Sequence, residues 1–126
     1  MDLDTFLDRA IDRDVRVWSI AGFFEQKDIS GGIVPFGGYL FQDRFLGNKI
    51  ECGELIDGFG RSHVSGYITP DIQFDFVKRY NNNPENNYFN YSFKKEGNLY
   101  IGNYIGKGIN ESIHGNSICV IQSLKR

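Results

Sequence analysis

The apolar positions of the chain change period once. Over residues 1–14, Leu3, Phe6, Leu7, Ala10 and Ile11 recur at helical spacing, with Asp4, Asp8, Arg9, Asp12 and Arg13 between them. This predicts an amphipathic helix with one apolar stripe, and Asp2 or Asp4 stands where a carboxylate can cap its first turn. From residue 15 onward the period is two. Alternation and turn residues predict eight strands, over 15–24, 37–45, 49–57, 62–69, 72–80, 88–94, 99–106 and 116–124. Gly47-Asn48, Asp57-Gly58, Pro70-Asp71 and Gly97-Asn98 mark turns between them.

Eight successive strands without crossover helices pair as antiparallel hairpins. A meander of that length can close and remove its edges. The expected fold is therefore all-β: an eight-stranded antiparallel up-and-down barrel over residues 15–126, preceded by one short N-terminal α-helix over 1–14. A two-sheet sandwich is the competitor. Gly22, Gly53, Gly66 and Gly102 fall inside strands, where glycine marks a bend or bulge. On these boundaries the connections 25–36, 58–61, 81–87 and 107–115 share one end of the barrel. The shorter 46–48, 70–71 and 95–98 share the other. The helix is expected to plug this tight-hairpin end, leaving a looped mouth opposite. The longest connection carries Gly31-Gly32 and reads as a lid.

Composition narrows the function classes. The chain has 126 residues and a formal net charge of −2, with 15% aromatics, 15 Gly and 3 Pro. Such aromatic content argues against disorder. No stretch approaches the roughly 20 apolar residues of a helical membrane span. Five Asp within residues 1–14, and no continuous apolar run there, argue against a secretory signal. A cytoplasmic location is expected, with Cys52 and Cys119 as buried, inert thiols. The chain has two histidines and no CxxC or HExxH spacing, so neither a metal nor another cofactor is expected. Basic residues occur as scattered pairs such as Lys78-Arg79 and Lys94-Lys95, not as the stripe that nucleic acid requires.

Strand 72–80 is the most informative for chemistry. Ile72, Phe74, Phe76, Lys78 and Tyr80 share one face, and the apolar face should point inward. Lys78 then lies inside, near the mouth. A buried ammonium needs a carboxylate, water or an anionic ligand. Three readings follow: an anchor for an acidic head group, a lysine paired with an internal acid such as Glu54 or Asp43, or a lysine reaching out to solvent. Tyr39, Phe41, Phe89, Tyr91, Phe93, Tyr100 and Tyr104 are further wall candidates. Asp57 is expected to fold back onto its own turn, His63 to face solvent, and His114 to lie at the mouth.

The architecture resembles the calycin group of small barrels, lipocalin-like and avidin-like. Arg16-Val17-Trp18 stands where lipocalins carry Gly-x-Trp near the start of their first strand. Lys125 or Arg126 stands where a basic residue after the last strand packs near that Trp. Gly53-x-Leu55-x-Asp57-x-x-Gly60, Phe74-x-Phe76-x-Lys78-x-Tyr80 and Gly102-x-Tyr104 also look like small barrel proteins. The contrast of looped and tight ends, with an aromatic interior containing Lys78, points to a non-catalytic barrel binding a small apolar or aromatic ligand, including an acidic one, at the long-loop end. Phe74, Phe76, Lys78, Tyr80, Tyr91 and Tyr104 are its candidate contacts. The alternatives are a filled barrel acting as an interaction module or homo-oligomer, and a calycin-like cyclase or isomerase.

Overall fold

Strict alternation lets one face of each strand turn inward, and here all eight strands use it to build one wall. The computed structural model describes residues 2, 5, 15–26, 32–43, 47–82, 84–107 and 112–124. The strands are β1 (Val15–Glu25), β2 (Ile33–Asp43), β3 (Lys49–Asp57), β4 (Gly60–Thr69), β5 (Gln73–Tyr80), β6 (Tyr88–Glu96), β7 (Leu99–Lys107) and β8 (Ser112–Ser123). Each pairs antiparallel with the next, and β8 returns to β1 with Cys119 opposite Gly22. The sheet is a closed barrel in up-and-down order, as the hairpin pattern requires. The sandwich alternative is thereby set aside.

No helix is among the described elements, so the helix expected over 1–14 and its place at the tight-hairpin end are not supported. Apart from Asp2 and Thr5, that segment lies outside the described residues. The Thr5 N–H donates to the Asp2 carboxylate at 2.8 Å.

β2 begins four residues earlier than the pattern predicts, and β8 four earlier as well. Residues 33–36, Pro35 among them, read as loop, yet they sit in a continuous ladder with β1 that runs from Val15↔Asp43 to Glu25↔Ile33. The connections at the β1 terminus-to-β2 end are thus 26–32, 58–59, 81–87 and 108–111, against 44–48, 70–72 and 97–98 at the other. The looped and tight ends remain distinct, with a smaller contrast than expected. Of the connection read as a lid, 33–36 belong to β2, and 27–31 lie outside the described residues.

The interior has two halves. Towards the tight end Leu40, Ile50, Ile68, Phe74 and Phe93 are completely buried, and Phe74 packs against Phe76 at 5.0 Å and Phe93 at 5.8 Å between ring centroids. There the Trp18 indole donates to the Gln42 carbonyl oxygen at 3.0 Å, and the Gln42 amide donates to the Gly47 carbonyl at 2.9 Å. Arg16 lies over the Trp18 ring at 5.5 Å. Lys125 and Arg126, expected in that place, lie outside the described residues.

Four inward or buried assignments change. Tyr39 and Phe41 face outward, Tyr39 exposed and Phe41 packed on Val17, because Phe36 and Leu40 take the inner face of β2. Both faces of β2 are apolar, so its own pattern could not choose between them. Ile72 is exposed because it falls in the turn after Asp71, whose φ is 65°. Cys52 is exposed rather than buried. A register shift between Phe41 and Gln42 puts Cys52 and Ile50 opposite adjacent residues of β2. Such a bulge reverses the facing of everything after it. Cys119 is buried, and burial pushes its thiol up to about 12.

Candidate functional site

At the looped end the interior is not filled. A cavity of about 180 Å³ lies there. Strand pairing explains its walls. Inward alternation on β5 delivers Lys78 and Tyr80; the partners across β6 are Phe89 opposite Lys78 and Tyr91 opposite Phe76. Tyr104 on β7 stands opposite Tyr91. Phe24, the last inward residue of β1, closes the other side, and Phe59 from the β3–β4 turn reaches over it with ring centroids 6.5 Å apart. Gln26, Asn87 and Ile113 complete the rim. The rings brace one another. Phe76 stacks on Tyr91 at 4.8 Å and 8°, Tyr91 on Tyr104 at 5.2 Å and 22°, and Phe24 meets Tyr104 edge-on at 5.5 Å. Such offset and edge-to-face contacts fix ring positions beyond what burial alone would do.

Lys78 is inside, only 1% exposed. Its partner is Asp57, at 3.2 Å, and neither Glu54 nor Asp43. Glu54 instead pairs with Arg61 on the outer surface. Both oxygens of the Asp57 carboxylate are engaged: Oδ1 accepts the Phe59 N–H at 2.8 Å, and Oδ2 accepts Lys78 Nζ and the Tyr80 hydroxyl, the latter at 2.5 Å. The expected fold-back of Asp57 onto its turn is present, and the same side chain also neutralises Lys78. An ammonium carries three N–H donors and no acceptor. Lys78 directs them at Asp57, at the Tyr80 hydroxyl (2.9 Å) and at the Tyr91 hydroxyl (3.0 Å). The faces of Phe24, Tyr80 and Tyr91 surround it at 4.5–5.0 Å, a favourable setting for a cation.

Burial pulls Lys78 down from 10.5 to about 8, with Asp57 opposing that fall through its charge and hydrogen bond. Burial, then Asp57, holds the Tyr80 hydroxyl far above its ordinary value. Tyr91 is likewise raised by burial, then by Tyr104 and Asp57. Tyr104 is raised by burial, then by Glu25, and its hydroxyl donates to the Glu25 backbone carbonyl across the mouth. All three phenols are therefore neutral donors near neutral pH.

Of the six candidate contacts, Lys78, Tyr80, Tyr91 and Tyr104 converge on the cavity. Phe74 and Phe76 do not border it; they fill the barrel below. Of the further wall candidates, Phe89 borders the cavity, and Phe93 and Tyr100 belong to the packed half. His63 is exposed, as expected. His114 is exposed in a separate cleft beside Glu25 and Tyr104. Sequence reasoning missed Phe24, Phe59 and the pairing role of Asp57. Two of these carried a signal: Phe24 follows Ile20 and Gly22 in step, and Asp57 follows Leu55. Phe59 sits in a turn, where no period exists to find it.

No family model matches the chain, and no curated protein or solved structure does either.

Proposed function

We propose that this barrel binds one small apolar or aromatic molecule in the cavity at its looped end. The observation that carries the reading is the cavity itself, with aromatic walls and a few fixed polar groups at its base. Ligand pockets have that composition. A volume of about 180 Å³ suits a single-ring molecule, since an engineered apolar cavity of about 150 Å³ binds benzene. The role is binding rather than catalysis: Lys78 has every proton engaged, and both Asp57 oxygens already accept hydrogen bonds. A native mass spectrum of protein purified gently from cells tests this. The expected result is one adduct of low mass, released on unfolding. Protein that carries no adduct, and binds no small aromatic saturably when offered one, overturns the reading.

A second reading, self-association, is favoured by the outer wall. Ile101, Ile118, Phe23 and Pro35 are successive register partners across β7, β8, β1 and β2, with Leu99, Val120 and Ile33 beside them. Leu99, Ile101, Val120, Phe23 and Ile33 are 37–60% exposed. The opposite half of the wall carries Arg61, His63, Asp75, Arg79 and Lys94. Contiguous exposed apolar surface marks an interaction site. A closed barrel has no edge to offer, and an uncharged face complements a second copy of itself. Light scattering during size exclusion is expected to give twice the chain mass for the native protein and the chain mass for Phe23→Asp/Ile101→Asp. A native protein that stays monomeric at 100 μM (about the strength of a weak dimer) contradicts it.

A further inference from the structure

The chemistry of the ligand follows from which polar atoms at the cavity are already spent. Lys78 looks like an anion anchor, but its charge is cancelled by Asp57 at 3.2 Å and its three protons go to Asp57, Tyr80 and Tyr91. The Tyr80 proton goes to Asp57 and the Tyr104 proton to the Glu25 carbonyl. Tyr91 differs. Lys78 can only donate, so the Tyr91 oxygen accepts from it, and the phenol's own proton has no acceptor among the described residues. Accepting a hydrogen bond from an ammonium withdraws electron density from that oxygen, which strengthens its O–H as a donor. Tyr91 is 3% exposed and borders the cavity. The remaining polar lining, Gln26 and Asn87, is uncharged.

We infer that the cavity selects a neutral single-ring molecule carrying one hydrogen-bond acceptor, a carbonyl or ether oxygen, which takes the proton of Tyr91. This rests on the binding reading above and sharpens it. An anionic ligand would bring a charge into a site whose own charges already cancel, and its carboxylate would lose hydration without gaining a partner. It would also approach the Asp57 carboxylate. A cation would lie against Lys78. A wholly apolar ligand would leave the Tyr91 donor buried and unsatisfied, a penalty the unoccupied site avoids if water reaches it.

Three probes of nearly one shape separate these cases: acetophenone, cumene and benzoate. Their affinities are measured by titration against the full chain at pH 7, followed by chemical shifts of the aromatic rings. Acetophenone is expected to bind at least 100-fold more tightly than benzoate, a comparison that needs no variant. Tyr91→Phe is expected to weaken acetophenone about 10-fold relative to cumene, the worth of one buried hydrogen bond. Benzoate binding as well as acetophenone, or an unchanged acetophenone-to-cumene ratio in Tyr91→Phe, overturns the inference and leaves the cavity a binding site. If none of the three binds saturably, the binding reading falls and the inference falls with it.

Discussion

Asp57 and Lys78 form the most consequential pair of residues in the chain, because each is tolerable inside the barrel only through the other. Their side chains are 0% and 2% exposed. Removing one member of such a pair strands a buried charge, typically at about 3–5 kcal/mol, whereas replacing both by neutral groups is often nearly harmless. Asp57→Asn is therefore expected to destabilise strongly, and Lys78→Met/Asp57→Asn to recover most of the loss, as read from urea unfolding midpoints at constant slope. Additive effects of the two substitutions would show that they do not act as a pair. The pair also shapes the pH profile. Between about pH 8 and the ordinary lysine value of 10.5, the unfolded chain keeps a proton that folded Lys78 has released, so stability rises with pH across that window. Above about pH 10 the sign reverses. Tyr80 and Tyr91 stay protonated in the folded barrel, while their unfolded counterparts ionise, and stability falls. The unfolding midpoint is expected to peak near pH 10, and Lys78→Met to lose the rising limb. A Lys78→Met profile that keeps that limb would assign it to another group.

At the scale of strands, the inward glycines and phenylalanines are one device. Gly66 stands opposite Phe76, Gly102 opposite Phe93 and Gly106 opposite Phe89. A Cβ on Gly102 would lie 1.7 Å from the Ser92 carbonyl, and one on Gly66 2.0 Å from that of Asp75. The glycines let neighbouring strands approach closely, and at Gly106 the opposing Phe89 ring lies against the bare backbone. Gly102→Ala is expected to cost about 3 kcal/mol or more through forced backbone movement. Gly58→Ala, in an open turn with nothing within 4 Å, is expected to stay within about 0.5 kcal/mol; equal effects would refute the packing role of Gly102. Strand existence and the inward face of β5 and β6 were legible in the sequence because one face is apolar and the other polar; β7 was not, because Leu99, Ile101 and Ile105 on its outer face compete with Tyr100 and Tyr104. β2 was not, because Tyr39 and Phe41 compete with Phe36 and Leu40. Nor was the facing of Cys52, since a bulge depends on two strands and leaves no mark in one.

At the scale of the molecule, the barrel divides along its axis and around its girth. Along the axis, a packed half built on Phe74 and Phe93 supports a hollow half at the looped end. Around the girth, an apolar outer half on β7, β8, β1 and β2 faces a charged one. The first division was partly legible, since hairpin parity gathers alternate connections at one end. The hollow itself was not, because the same aromatic list describes a filled barrel, and only ring placement decides how much space is left. The binding account is tested most directly by titrating acetophenone into the protein and following the aromatic ring resonances. Saturable shifts confined to the cavity rings Phe24, Phe59, Tyr80, Phe89, Tyr91 and Tyr104 are the predicted result. Shifts that grow linearly without saturation, or that centre on Phe23 of the outer wall, would contradict a ligand cavity inside the barrel.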